Sequence, residues 1–418
     1  MSSKSEDLIV VLDAPEFGPA RPVGVLSFWS DSRAIAFTYA RSWRESKDAF
    51  ALEPRLPLVE GLRYIPGSVP PPILSDTSPD LWGTILMERR AGRRLGPWDL
   101  LTGVADETRM GALRLRRGSD GPFVDDREPA VPPVTRLREI EAAARAFELN
   151  PQAPISDSDI ALLIAPGSSL GGARPKANFR DTDGSLWIAK FPSRTDRQDV
   201  GAWEHVYVRL ARSAGISVPD TRLLSLGGQG RTFVTRRFDR AHDDRRLFAS
   251  AMTMAGKNDG EPAGYPDIAQ AIRAQGAPSS VREDLEQLFR RLVFNIVAGN
   301  RDDHLRNHGF LRTRAGWRLA PAFDMNPGRE QRQHAISIDG STVAPDVRAA
   351  LSTHQIYGLT EERACQIIRE VAEAVGRWPA EAHNAGIPKT EQASVGLAFS
   401  ALPSAVQIAS SQLAGETA

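Results

Sequence analysis

The sequence of 418 residues has a single cysteine, Cys365, and no excess charge of either sign. One cysteine cannot form an internal disulfide, which excludes a disulfide-stapled extracellular domain and suits a reducing compartment. Because 52 basic residues balance 52 acidic ones, no overall field would draw the chain to nucleic acid, membranes or acidic substrates. The class of partner must therefore be inferred from motifs.

Long apolar runs are also missing. No stretch approaches the ~20 apolar residues that cross a bilayer, and the first residues, MSSKSEDLIVVLD, lack the pattern of a secretory leader. We therefore expect a cytoplasmic protein with no membrane partner. The length predicts two or three domains, and 41% hydrophobic with 25% charged residues is ordinary for a globular protein.

The first half of the chain has strand-and-turn patterning. Two alternating segments flank Asp183-Gly184, a dipeptide favoured in hairpin turns, and residues 201–214 have helical periodicity. A stretch rich in glycine, proline and acidic residues, 118–133, is typical of a linker. Short apolar runs bounded by turn residues predict early strands at 8–12, 23–28 and 34–39.

Beyond Arg240 the periodicity becomes helical, most clearly over 282–297. We therefore predict an α+β protein whose β-rich parts precede an all-α C-terminal lobe. The predicted divisions are a β-rich N-terminal subdomain with helices at 1–132, a nucleotide-binding part at 133–240, and a helical lobe at 241–418.

A polar cluster follows the predicted helix 282–297. Asp302 and Asn307 have the D-x-x-x-x-N spacing of a kinase catalytic loop, in which the aspartate accepts the proton of the substrate hydroxyl and the asparagine binds a metal ion. Asp324 follows a short strand-like segment, where phosphotransferases place a second metal-binding carboxylate. The order Asp, Asn, Asp predicts a phosphotransferase that uses ATP and Mg²⁺.

Upstream residues complete the nucleotide-binding pattern. Lys190 on a strand and Glu204 on a helix match the pair in which a carboxylate orients an ammonium toward the α- and β-phosphates. A glycine-rich segment, 167–176, would present backbone N–H groups to a phosphate. The further predicted cofactor contacts are Ser168, Ser169, Gly171, Gly172 and Lys176 in this loop, Phe233, Thr235 and Arg236 on the adenine side, and His304.

Each motif also has a plain structural interpretation. A Gly-Gly pair is often only a turn, a strand lysine often extends over apolar surface into water, and aspartates often cap helices or turns. His304 and His308 also have the spacing of zinc ligands, but the glutamate of H-E-x-x-H is absent. We expect His304 to hold the catalytic loop through backbone hydrogen bonds.

Together these motifs resemble those of the HipA family of bacterial serine/threonine kinases, the toxins of type II toxin–antitoxin pairs. The resemblance covers nearly the whole chain. The matching segments are the glycine-rich loop at 169–176, Ile188-Ala-Lys190-Phe-Pro, Arg237-Phe-Asp-Arg240, Asn300 to Asn307, Leu319-Ala-Pro-Ala-Phe-Asp324, Ser78-Pro-Asp-Leu-Trp-Gly83 and Leu101 to Leu113.

The resemblance implies a two-lobed protein-kinase-like fold with an extra N-terminal subdomain, ATP between the lobes, and a protein Ser or Thr hydroxyl as acceptor. It implies autophosphorylation of the glycine-rich loop at Ser169, with Ser168 adjacent. It also implies a HipB-type helix-turn-helix antitoxin, contact with DNA only through that antitoxin, and a translation factor such as an aminoacyl-tRNA synthetase as target. A small-molecule phosphotransferase and an inactive regulatory module that binds an antitoxin or DNA remain alternatives.

Overall fold

A computed structural model describes residues 5–125, 131–150, 163, 174–328 and 331–415. The chain forms two compact units, Met1–Arg194 with Arg236–Gly256, and Thr195–Thr235 with Lys257–Ala418. The polypeptide therefore passes between the units three times. The divisions predicted at 132/133 and 240/241 describe sequence segments and stay predictions.

The first unit contains an antiparallel five-stranded sheet. Its strands are β1 (Ser5–Leu12), β2 (Arg21–Trp29), β3 (Ala34–Tyr39), β4 (Arg63–Ile65) and β5 (Leu113–Arg116). They lie in the order β4-β3-β2-β1-β5. The three early apolar runs lie in the first three strands, so those predictions are confirmed.

Helices lie between the later strands of this sheet, and one more follows β5. The third begins at Leu81, because the Asp80 carboxylate accepts a hydrogen bond of 2.9 Å from the Gly83 N–H and caps the helix. The helices of the first unit before residue 150 are α1 (Arg41–Arg44), α2 (Pro72–Ser75), α3 (Leu81–Ala91), α4 (Pro97–Thr102) and α5 (Leu137–Leu149).

The predicted hairpin around Asp183-Gly184 is confirmed. Strands β6 (Lys176–Arg180) and β7 (Leu186–Lys190) pair antiparallel, with Lys176 opposite Lys190. Gly184 has φ +80°, a left-handed conformation that glycine adopts without strain. Helix α5 packs against β6.

In the second unit, α6 (Val200–Ser213) matches the helix predicted at 201–214. The strand pair that follows is β8 (Thr221–Leu224) and β9 (Thr232–Arg236), with the last residue of β9 already beyond the unit boundary. The chain then returns to the first unit with three short strands and one helical turn, β10 (Arg240–Ala241), β11 (Asp244–Arg245), β12 (Phe248–Ser250) and α7 (Ala251–Met254).

The rest of the second unit is mainly helical and is organised around α9 (Val281–Ala298), whose apolar face is fully buried. Helix α11 (Glu361–Val375) packs against α9 and α14 (Leu402–Gly415) and contains the buried Cys365. The remaining helices are α8 (Tyr265–Gln275), α10 (Val347–Ser352), α11 (Glu361–Val375), α12 (Trp378–Asn384), α13 (Lys389–Val395) and α14 (Leu402–Gly415).

The all-α expectation for the C-terminal lobe needs one amendment. Strands β13 (Gly309–Thr313) and β14 (Gly316–Leu319) form an antiparallel hairpin within it. This hairpin joins the segment containing Asp302 to the segment containing Asp324. Within the described ranges no single helix is long and apolar enough to cross a membrane, whereas 389–399 and 402–410, bent by 55°, pass the length and composition test as a pair.

Candidate active site

The catalytic-loop motif begins where α9 ends. Gly299 follows the helix with φ +75°, and a Cβ on it would lie 2.2 Å from the carbonyl oxygen of Ala398. A residue with a side chain would therefore be strained and would collide with backbone at this position. Glycine is needed here to turn the chain from the buried helix into residues 300–307.

Two adjacent aspartates of this loop have different environments. The Asp302 side chain is 51% exposed, whereas that of Asp303 is 0% exposed. Asp303 accepts hydrogen bonds from the Tyr265 hydroxyl at 2.8 Å and from His334 Nδ1 at 3.0 Å. Asp302 is thus the accessible carboxylate of the two, and Asp303 is bonded inside the unit.

Asn307 is fixed by its amide nitrogen. Its Nδ2 donates to the backbone oxygen of Asp302 at 2.6 Å, and its backbone N–H donates to the His304 oxygen at 2.8 Å. This bonding leaves the buried Asn307 Oδ1 without a hydrogen-bond partner. A buried acceptor without a donor is costly unless a ligand satisfies it, so the orientation fits a metal-binding oxygen.

Partial burial raises the pKa of Asp302, His304 opposes that rise, and the negative charges of Asp324 and Asp303 add to it. Asp324 therefore acts electrostatically on the predicted base. It stands after β14 with φ +57°, a left-handed conformation that aspartate tolerates better than most residues. The three residues of the predicted Asp, Asn, Asp order thus all belong to the second unit.

An amide oxygen and a carboxylate fit Mg²⁺, which takes oxygen ligands and fills its remaining positions with water and substrate phosphates. No group of three or more His, Cys, Asp or Glu residues in the described part of the chain is placed to hold a metal ion. The structure therefore gives no support to a zinc site at His304 and His308. The ring of His308 instead packs edge-on against Tyr265, with the ring centroids 5.4 Å apart.

The predicted nucleotide contacts are divided between the units. Lys176, Lys190 and Arg236 belong to the first, and Glu204, Phe233, Thr235 and His304 to the second, so the Lys190–Glu204 pair stays a prediction. Glu204 is 2% exposed and Phe233 is 2% exposed. Ser168, Ser169, Gly171 and Gly172 lie outside the described residues.

Lys176 has a partner that the sequence did not predict. Its Nζ forms an ion pair with Asp80, and both side chains are buried, at 8% and 0% exposed. Asp80 is the residue that caps α3. Lys176 is therefore already paired with the carboxylate that caps α3.

A second group missed by sequence reasoning surrounds Asp239 in the first unit. This fully buried carboxylate accepts from Arg237 at 2.7 Å, from Arg240 at 2.5 Å and from the Gly111 N–H at 2.8 Å. The two arginines keep the pKa of Asp239 well below its usual range despite burial. The group ties the Arg237-Phe-Asp-Arg240 motif to the segment after α4, a contact that the sequence pattern of either segment alone does not reveal.

Comparison with known proteins places this architecture in a family. The model of the HipA-like C-terminal domain matches residues 168–378, half of the chain. The chain belongs to the HipA-like family. The predicted α+β, two-lobed HipA-like fold class is confirmed by the structure of Shewanella oneidensis HipA in complex with HipB and operator DNA, which superposes with a TM-score of 0.67 at 18% identity over 95% of this chain and 96% of that one.

Two relatives of this HipA-like chain carry kinase names. A protein of Haemophilus influenzae named "Putative kinase" is 26% identical over 202 residues, which cover 42% of this chain and 58% of that protein. The Sinorhizobium fredii protein named "Putative kinase Y4dM" is 26% identical over 341 residues, 76% of this chain and 77% of that protein. The chain thus spans less than two thirds of the Haemophilus protein and about three quarters of the Sinorhizobium protein.

Proposed function

We propose that this HipA-like protein is an ATP- and Mg²⁺-dependent kinase that phosphorylates a Ser or Thr hydroxyl of another protein. The observation that carries the proposal is the geometry of residues 302–307. The half-exposed Asp302 is held through its own backbone oxygen by Asn307, whose free amide oxygen is left to bind a metal ion. The kinase names of two relatives support the same reaction class.

In the proposed reaction Asp302 orients the acceptor hydroxyl and accepts its proton as the oxygen bonds to the γ-phosphorus and ADP leaves. The raised pKa of Asp302 suits this role, because it increases the carboxylate's affinity for a proton. Asn307 and Asp324 would hold Mg²⁺. Bound Mg²⁺ supplies positive charge that stabilises the phosphates in the transition state.

The other predicted residues would bind the nucleotide. Lys190, oriented by Glu204, would contact the α- and β-phosphates, and residues 168–172 would cover them. Segment 233–236 would lie beside the adenine, and the boundary between the two units falls inside it, between Thr235 and Arg236. Autophosphorylation at Ser169 would add about −1.5 to −2 charge beside the ATP phosphates and drive the loop away from them.

The Shewanella HipA was determined with HipB and operator DNA, which supports a HipB-type helix-turn-helix partner for this protein and a link to DNA through that partner. We therefore propose a toxin that stops growth by phosphorylating a protein of its host, with an aminoacyl-tRNA synthetase or another translation factor as the target class.

The test is the intact mass of the purified protein after incubation with ATP and Mg²⁺, with peptide mapping of any phosphate. Wild type should gain phosphate at Ser168 or Ser169, and Asp302→Asn should not. ATP turnover that needs an added small-molecule hydroxyl, without protein phosphate, would instead identify a small-molecule phosphotransferase. Absence of both nucleotide binding and phosphate gain would indicate a regulatory module and contradict the kinase.

A further inference from the structure

One buried histidine bonds to both sequence neighbours of the proposed base. His334 has a fully buried side chain, with Nε2 2.9 Å from Arg301 Nη1 and Nδ1 3.0 Å from Asp303 Oδ2. Arg301 and Asp303 flank Asp302 in the sequence. A single imidazole thus fixes the side chains on both sides of Asp302.

The chemistry of the two partners defines the state of the ring. A guanidinium can only donate hydrogen bonds, so Nε2 must accept from Arg301. The proton of the neutral imidazole is then on Nδ1 and is donated to the Asp303 carboxylate. His334 therefore accepts a hydrogen bond from the Arg301 cation and donates one to the Asp303 anion.

The backbone beside His334 repeats the connection. The N–H of Ala335 lies 3.0 Å from the Arg301 carbonyl oxygen and 3.3 Å from Asp303 Oδ1. Further along, Ser337 exchanges backbone hydrogen bonds of 2.9 Å with Ala263 and Tyr265. Residues 331–338, called here the His334 segment, are thus attached to the catalytic loop and to the start of α8.

Asp303 also links the loop to buried residues of the second unit through hydrogen bonds. Tyr265 donates its hydroxyl proton to Asp303 and accepts from Asn295 Nδ2 at 2.8 Å, and Asn295 Oδ1 accepts from Asn300 Nδ2 at 3.1 Å. Burial and the charge of Asp303 raise the pKa of Tyr265 well above its usual value, so Tyr265 remains a donor. The loop is thus connected to α9 as well as to the His334 segment.

We propose that His334 is a positioning residue for phosphoryl transfer, which holds the backbone of residues 301–303 so that Asp302 meets the acceptor hydroxyl. This inference rests on the proposed kinase function. The two hydrogen bonds of His334 attach residues 331–338 to the side chains on both sides of Asp302.

The test compares His334→Phe, which keeps a buried ring but removes both hydrogen bonds, with His334→Gln, which retains a donor and an acceptor, and with His383→Phe on an exposed position of α12. Each variant is assayed for kcat, for the KM of ATP and for thermal unfolding. We expect His334→Phe to lower kcat by on the order of 10- to 100-fold, as loss of reactive alignment does. The KM of ATP should change little, and His334→Gln should recover part of kcat.

A purely structural role would give a lower unfolding temperature with unchanged kcat per folded molecule, and that result would overturn the proposal. If His334→Phe does not fold, Arg301→Met is the second variant. It removes the bond to Nε2 together with two longer bonds of 3.4 Å from Arg301 Nη1 to the carbonyl oxygens of Asn295 and Ile296. It should show the same loss of kcat, and wild-type kcat in this variant would equally refute the proposal. Amide hydrogen exchange separates the two proposals. Faster exchange at residues 331–338 of His334→Phe would show that His334 anchors this segment. If the wild-type protein were inactive as well, the kinase function would be rejected, and the positioning role of His334 with it, while the anchoring would stand.

Discussion

Asp302 and Asp303 are covalent neighbours, yet the side chain of Asp302 is 51% exposed and that of Asp303 is completely buried between Tyr265 and His334. The loop therefore presents one carboxylate outward and uses the next to hold itself in place. Sequence spacing identifies a carboxylate at position 302 but cannot assign different roles to two aspartates in a row.

Replacement by asparagine should affect activity at Asp302 and stability at Asp303. Asp302→Asn should abolish phosphate gain and leave the free energy of unfolding almost unchanged, because the carboxylate is half-exposed. Asp303→Asn should lower the free energy of unfolding by about 2–3 kcal/mol, because the buried donors of Tyr265 and His334 lose a charged acceptor. Urea unfolding and the intact-mass assay measure the two effects. A stable Asp303→Asn protein would mean that its hydrogen bonds contribute little.

Much of the fold was predictable because it follows local rules. The period of 3.6 over 282–297 marks α9, and Asp183-Gly184 marks the β6–β7 hairpin. The start of α3 is also set locally, because the carboxylate of Asp80, directly before Leu81, caps the helix.

The site was only partly predictable. Asp302, Asn307 and Asp324 follow from spacing, but His334 comes from a segment without periodicity and meets Asp303 only in the folded chain. The Lys176–Asp80 pair likewise joins residues far apart in sequence. Sequence patterns report local geometry, so partners that meet through tertiary folding stay hidden in a single sequence.

The buried group around Asp239 should be a large contributor to the stability of the first unit. Asp239→Asn would leave Arg237 and Arg240 buried without a carboxylate, which costs about 3–5 kcal/mol in comparable cases. Asp243→Asn is the matched control, because Asp243 pairs with Arg180 while 85% exposed and should have little effect. Urea unfolding of both variants tests this, and equal midpoints would contradict it.

The stability that Asp239 provides should be sensitive to acid. Because the pKa of Asp239 is lower in the folded chain than in the unfolded one, its stabilisation is present above the usual carboxylate range and is lost as the pH falls toward the folded-state value. The difference in unfolding free energy between wild type and Asp239→Asn should therefore shrink in acid. A constant difference would show that Asp239 does not act through its charge.

Glu53 predicts the opposite dependence on pH. Burial raises its pKa to about 7, the Ile73 N–H opposes the rise, and the charge of Asp76 adds to it. The folded chain thus binds a proton more tightly than the unfolded chain, so this stabilisation is full below the ordinary pKa of 4.5 and is lost as the pH rises to about 7. The loss should be about 3 kcal/mol.

The measurement is urea unfolding of wild type and Glu53→Gln at several pH values across that window. The neutral amide cannot titrate. The plot of unfolding free energy against pH should therefore lack, in the variant, the part of its slope that Glu53 causes. Glu60→Gln serves as the control, because Glu60 is 83% exposed beside Arg44 and should reproduce the wild-type slope. Identical slopes for wild type and Glu53→Gln would show that Glu53 is ionised in the folded protein.

Asp324 allows the metal-binding proposal to be tested apart from folding. Asparagine tolerates the left-handed backbone of this position almost as well as aspartate, so Asp324→Asn should unfold at the wild-type temperature without ligand. It removes the negative charge proposed to hold Mg²⁺. Asp220→Asn, on a residue 68% exposed beside Arg212, controls for loss of a carboxylate elsewhere in the same unit.

Thermal unfolding with ATP, with and without Mg²⁺, gives the readout, because a ligand that binds only the folded state adds about 2.7 kcal/mol at 100 times its Kd. Wild type and Asp220→Asn should gain this stabilisation only when Mg²⁺ is present, and Asp324→Asn should lose most of it. If Asp324→Asn kept the full Mg²⁺-dependent gain, Asp324 would not be a metal ligand. If it unfolded early without ligand, the carboxylate would be needed for the backbone turn itself, and the order Asp, Asn, Asp would reflect folding at this position instead of metal binding.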